Sequence, residues 1–359
     1  MKASRSLRSI LVTALGLGLV CSLPTLSMAR VKGVCANCHT MHASQLNNGI
    51  GAFSNGTQTP NGVLLVNNCY GCHGGDGTAR LDGTTGAPLV IVSAAPTYNT
   101  LLPGGFLLKG ADEKTQHSIP DIAGMAAGLT YPPGWVDGGE NGRGATQWNT
   151  TTLVCGGTNG CHGDPTQADQ AKSVSGIHHK ATALGYRGLK GISGAESVSY
   201  NVEHNGYSGI AHLGDANNTN TISSLCAQCH EDFHNLAAGA GDVLNASGAW
   251  IRHPTDFALD SANLTNDAYT SMARNIQVPI GKVFAGAGMN LEINSTEAAD
   301  FDAWPTTVNG VVICLSCHRA HGSPYNDLLR WTYEGMVAST TGNQAGEGCF
   351  RCHSTKDGV

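Results

Sequence analysis

Apolar positions along this chain fall into short, isolated groups rather than long periodic runs. The longest, Ile10 to Val20, follows Lys2, Arg5 and Arg8 and precedes Ser27-Met28-Ala29. A basic start, an apolar stretch and a small-x-small site before Arg30 predict a cleaved secretory signal over residues 1–29. About 11 apolar residues are too few to span a bilayer, and no later segment is long and apolar enough to do so. Elsewhere, Pro88 to Ala95 predicts one short strand in a long Gly/Pro/Thr-rich connection over 74–154. Asn-Gly turns recur at Asn55, Asn61, Asn141, Asn159, Asn205 and Asn309. The pattern predicts a chain mostly in coil, with short helices and no clear linker, forming one domain over 30–359.

Such a chain needs a core from elsewhere. Its 359 residues include 48 glycines and 21 aromatic residues (7 Phe, 5 Trp, 9 Tyr), and 13% are charged. Without a large apolar partner this composition suits an unfolded chain.

The cysteines supply that partner. Cys-x-x-Cys-His occurs as Cys35/Cys38/His39, Cys69/Cys72/His73, Cys226/Cys229/His230, Cys314/Cys317/His318 and Cys349/Cys352/His353. A stretched copy, Cys155-Gly-Gly-Thr-Asn-Gly-Cys161-His162, has five residues where the others have two. This is the attachment signature of a c-type haem: two thioethers to the porphyrin edge, with the histidine beneath the iron. Paired cysteines alone also suit zinc, but zinc ribbons do not require a histidine after every second cysteine. Of 13 cysteines, Cys21 leaves with the signal and the other twelve fill the six pairs. Covalent haem c, six copies, is therefore the expected cofactor, and a stack of haems the expected core. The close spacing of the first two and last two motifs suggests haems packed two by two. The glycines of the stretched motif let its loop bulge so that both sulfurs reach one porphyrin; five haems and a leftover cysteine pair is the alternative.

Six of the 15 histidines are proximal. The remaining nine are His42, His117, His178, His179, His204, His212, His234, His253 and His321, enough to give six irons a second imidazole each. His42, His234 and His321 follow a motif by three or four residues. They lie on the same turn as the proximal histidine and cannot reach the far face of the same porphyrin, so each should ligate a neighbouring haem. His117, His253 and one of His178/His179 are the next candidates; His204 and His212 are weaker ones.

Formal charge is −6 before haem propionates add to it, which disfavours nucleic acid as a partner. Haem attachment by this motif implies export, to the cell surface or the medium, with the periplasm as the alternative.

The blocks Val34 to His42, Leu225 to His234 with Trp250 to Pro254, Ile313 to Pro324 and Cys349 to His353 resemble the hexahaem outer-surface cytochromes of metal-reducing bacteria. The resemblance spans the motif blocks of the mature chain; the long loops lie outside it. It implies electron transfer, not enzymic turnover, toward redox proteins or extracellular acceptors such as metal oxides. Some members of that group polymerise into haem filaments, and there the histidine matching His42 ligates in trans. The resemblance thus implies His42 acting on the Cys314/Cys317 haem of an adjacent subunit. The five-residue spacer departs from the group's pattern and bears on whether the stack continues between subunits. Two other readings stay open: a soluble carrier, and a reductase with an open iron at Cys155/Cys161.

Overall fold

A computed structural model describes residues 34–40, 62–65, 68–96, 104–112, 114–120, 122, 132–134, 153–178, 186–189, 191–195, 206–209, 220–230, 233, 255, 257–258, 278–283, 310–334, 336 and 348–351. Residues 1–29, expected to be a secretory signal, and His42, His179, His204, His212, His234, His253, Cys352 and His353 lie outside them.

The fold is mostly coil, with helices a turn or so long. The α-helices are α1 (Cys69–Cys72), α2 (Gln170–Ser173), α3 (Ile222–Ala227) and α4 (Cys314–Cys317). Three of the four carry motif cysteines. Short helices need caps because most of their backbone groups have no intrahelical partner. Asn68 accepts from the amide of Gly71 at 3.1 Å. Thr221 and Ser224 cap α3 reciprocally, each side chain taking the other's amide at 3.1 Å.

Three small sheets hold these helices. Strands β1 (Gly74–Gly75), β2 (Ile91–Val92) and β3 (Leu107–Leu108) run parallel. The strand expected within Pro88 to Ala95 is thus realised as β2, and the amides of Val90 and Ile91 both donate to the carbonyl of His73. Strands β4 (Val154–Gly156) and β5 (Gly160–His162) form a two-stranded ladder. The largest sheet has the order β6-β7-β9-β10-β8, with β6 Gly194–Ala195, β7 Gly206–Gly209, β8 Phe257–Ala258, β9 Gly281–Val283 and β10 Gly310–Val312.

Two apolar clusters are buried. Leu189, Ile192, Tyr207, Ile222, Val311, Ile313 and Leu315 pack between the largest sheet, α3 and α4. Ile91, Leu107, Ile119 and Ile122 pack beside the parallel sheet. Among the described residues, no helix is long and apolar enough to cross a membrane.

Candidate haem-binding site

In the four two-residue motifs whose residues are all described, a single helical turn sets the cysteine geometry. The amides of His39, His73, His230 and His318 donate to the carbonyls of Cys35, Cys69, Cys226 and Cys314, at 2.8, 2.9, 3.0 and 3.0 Å. Residues three apart on such a turn share a face, so both sulfurs of each motif can address one porphyrin edge.

The stretched motif reaches the same result through a different backbone. In the β4–β5 ladder Val154 stands opposite Gly160 and Gly156 opposite His162, which sets Cys155 beside Cys161, one strand spacing or about 5 Å away. The spacer folds out as a loop. A Cβ at Gly160 would lie 2.3 Å from the Gly156 amide nitrogen, and Gly157 has φ +83° with its Cβ position 2.5 Å from the Gln167 carbonyl. Side chains are sterically excluded at both. Gln170 Oε1 accepts from the amides of Cys155 (3.2 Å) and Gly156 (3.4 Å), tying the loop to α2.

Motifs distant in sequence meet through their first cysteines. Cys69 and Cys155 share a hydrogen bond that, with burial, pushes the Cys155 thiol up; the same bond holds Cys69 down at about 7. Cys226 is raised by its bond to Cys314, by burial, and by nearby Cys314, Cys161 and Cys229. Burial raises Cys72, and the nearby Cys38, Cys69 and Asp82 push the same way. The motifs therefore neighbour one another in sequence order, first to second through to fifth. The second motif thus neighbours the third as well as the first.

The five described motif histidines share one arrangement. The Nδ1 of His39, His73, His162, His230 and His318 faces the backbone carbonyl of Val63 (3.2 Å), Pro88 (2.8 Å), Arg187 (3.0 Å), Pro133 (2.8 Å) and Asp327 (2.6 Å). A carbonyl only accepts, so the ring proton sits on Nδ1 and Nε2 carries the lone pair, the form in which imidazole binds a metal.

Three of these rings have a second histidine close by. His178 lies 6.3 Å from His73, His321 6.2 Å from His162, and His117 6.2 Å from His230, between ring centroids. Metal–imidazole bonds of about 2 Å, plus about 1 Å from nitrogen to ring centre on each side, put two imidazoles about 6 Å apart across one metal. Ordinary aromatic pairs also fall in this range. Here, however, each pair joins a proximal histidine, with its lone pair on Nε2, to a histidine from a different motif or loop. The residues present fit an iron porphyrin held between two imidazoles.

His117 and His321 come from two segments clamped side by side. The amide of His117 donates to the carbonyl of His321 at 3.0 Å, and that of His321 to Gly104 at 2.7 Å. Phe106 donates to Gly322 (3.1 Å) and Ser323 to Thr115 (2.8 Å). The Nδ1 of His117 donates to the carbonyl of Ala320 at 2.8 Å. Burial, then the neighbouring His230, lowers His117 to about 4. Burial, then His162 and His117, lowers His321 to about 3. Burial is the leading cause of the lowered values of His162, His230 and His318 too. Neutral imidazole is the form that binds a metal.

The carbonyls that orient the rings were not anticipated from sequence, because a backbone acceptor leaves no residue signature. Among the described residues no group of three or more His, Cys, Asp or Glu is placed to hold a metal ion unaided.

Residues 307–358 match the doubled CXXCH motif family. Over 389 aligned positions the chain is 25% identical to the C-type cytochrome OmcS of Geobacter sulfurreducens, covering 86% of this chain and 82% of that one. The chain is similar to the OmcS-like multihaem cytochromes. That likeness and the motifs support covalently bound haem c with iron. Two solved structures also resemble it: the outer membrane cytochrome S filament of Geobacter sulfurreducens (20% identity, 85% of each chain, TM-score 0.43) and the OmcS nanowires of the same organism (19%, 88% of each, TM-score 0.46).

Proposed function

We propose that the chain conducts electrons through six covalently attached haems, each iron held by two histidines. The observation that carries this reading is the set of histidine pairs. His73/His178, His162/His321 and His230/His117 each join one motif to a distant segment at the spacing of two ligands across one metal. When bound, haem iron supplies one-electron redox chemistry. The protein's part is to attach, orient and space the sites, and to exclude further ligands from the iron.

Several of the described imidazoles lie within electrostatic reach of one another: His73, His162 and His117 of His321, and His230 and His318 of His117. Sites this close suit hopping between neighbours. By the same reading, His39, His318 and His353 take their second ligands from His42, His179, His204, His212, His234 and His253. His42 acts in trans on the Cys314/Cys317 haem of a second copy, making the chain a filament subunit at the outer surface. Redox proteins and extracellular acceptors such as metal oxides are its partners, after cleavage of residues 1–29.

Intact mass should give six haems per chain, and the reduced protein should bind no carbon monoxide, since CO needs a free or labile iron position. Five haems would remove the Cys155/Cys161 site from the reading. CO binding at one haem per chain would favour a reductase. Electron microscopy of haem-loaded protein and of material sheared from the cell surface tests the filament: dispersed particles in both samples would leave a soluble carrier.

A further inference from the structure

Five residues other than glycine have a left-handed backbone among the described residues: Val63 (φ 52°), Leu64 (55°), Arg187 (51°), Asp327 (58°) and Leu328 (57°). All five fall in three short turns, Gly62–Leu64, Tyr186–Gly188 and Asn326–Leu328. In the second turn Gly188, at φ 71°, takes the place of a second strained residue. This conformation is uncommon for any L-residue and a true outlier for β-branched Val63. Strain of this kind persists only where surrounding contacts enforce it.

The three turns make the same contacts. The first left-handed residue gives its carbonyl to a proximal ring: Val63 to His39, Arg187 to His162, Asp327 to His318. The next residue's carbonyl takes the amide just after that histidine: Leu64 from Thr40 at 2.9 Å, Gly188 from Gly163 at 2.7 Å, Leu328 from Arg319 at 2.8 Å. A leucine follows each time, bridged to the motif segment: Leu65 to His39, Leu189 to Gly163, Leu329 to His318. The turns lie 24, 25 and 9 residues beyond their histidines. Local sequence therefore does not explain the repetition. The second and fourth sites differ, since His73 and His230 face the carbonyls of Pro88 and Pro133.

We propose that these left-handed turns are positioning elements for the first, third and fifth haem sites: two successive carbonyls grip the ring N–H and the following amide, and so fix the plane and basicity of the proximal imidazole. The proposal rests on the haem-ligation reading above. It gives two alternating classes of site along the chain, turn-gripped and proline-gripped. A firm Nδ1–H bond makes the imidazole a stronger donor and favours ferric iron. Loosening the grip therefore raises that haem's potential.

Position 187 allows a graded test in the haem-loaded protein. Arg187→Gly and Arg187→Asn tolerate positive φ, Arg187→Ile resists it, and Arg187→Pro forbids it. All four lose the guanidinium, whose charge acts on His162, so the comparison is among them. The readouts are intact mass, low-spin absorbance, ferric electron paramagnetic resonance and a potentiometric titration. The Gly and Asn variants should match each other. The Ile and Pro variants should move the g-values of one haem and raise its potential, with a tenfold change in its reduction equilibrium appearing as about 59 mV. Loss of one haem from both the Ile and Pro variants, with the Gly and Asn variants fully loaded, also supports the proposal, because that division follows tolerance of positive φ and not the missing proline N–H. Four indistinguishable variants, or a Gly variant displaced as far as Pro, would overturn it. As an independent arm, Val63→Gly should raise thermal stability with the spectrum unchanged; a lower stability counts against the turn being strained. A wild-type protein without six low-spin haems would instead defeat the ligation reading, whatever position 187 does.

Discussion

Gly322 sits where two proposed ligands are locked together, and Gly322→Ala should disturb both at once. A Cβ there would lie 2.5 Å from Gln116 Cβ, 2.6 Å from the Phe106 carbonyl and 2.9 Å from the Thr115 carbonyl. Two of these are backbone atoms, so the clash is relieved only by parting the 104–117 and 318–323 segments. Overpacking typically costs about 1–3 kcal/mol. The Phe106–Gly322 and Ser323–Thr115 bonds beside the clash add about 1 kcal/mol each if they break. The clamp thus loses about 2–5 kcal/mol in total, enough to open it locally. His117 and His321 then move off together, leaving His230 and His162 without partners. Haem-loaded variant protein, reduced and exposed to carbon monoxide, should bind close to two CO per chain, and about a third of the low-spin absorbance should be lost. Gly83→Ala is the control, as its added Cβ has nothing within 4 Å. An unchanged spectrum in a variant that still shows the expected loss of thermal stability would refute the assignment of His117 and His321 as ligands.

Other outcomes follow from the same geometry. His321→Ala should open one haem, not two, and bind one CO per chain, since His117 keeps its own bond to Ala320. Gln170→Ala removes the acceptor for the Cys155 and Gly156 amides, and should yield a fraction of chains one haem short by intact mass; full loading would show that the loop holds its shape without it. Acid should weaken the fold. The folded values of His117 and His321, about 4 and about 3, lie below the usual 6.5, so the unfolded chain takes up protons first. The stability from these neutral rings is complete above pH 6.5 and drains as pH falls toward 4 and then 3. Denaturant midpoints at pH 7 and pH 5 should differ in that sense; equal midpoints would contradict it.

How much of this the residues announced depended on range. The motif cysteines, the proximal histidines and the short helices under them are local patterns, and they are legible in sequence. His321, three residues beyond His318, was expected to look away from its own motif, and its ring lies against His162. Which distant ring it would meet was not legible, because nothing near His321 encodes a site 159 residues earlier. That His178 becomes a neighbour of His73 likewise depends on how the segment after α2 turns. The glycines of the stretched motif suggested a bulge. That the bulge would become a ladder depends on Gln170, whose role no spacing rule reveals.

The pairing of rings also sets a timetable. A chain exported amino end first presents His162 long before His321, and His73 well before His178, whereas His117 is already present when His230 emerges. On the ligation and export proposed above, the second and third sites would wait, half-completed, for segments still inside the cell, while the fourth could close as it appears. The period between attachment of a haem and arrival of its last ligand is when a competing small ligand or oxidant could reach the iron. For the third site that period lasts until nearly nine-tenths of the chain has crossed.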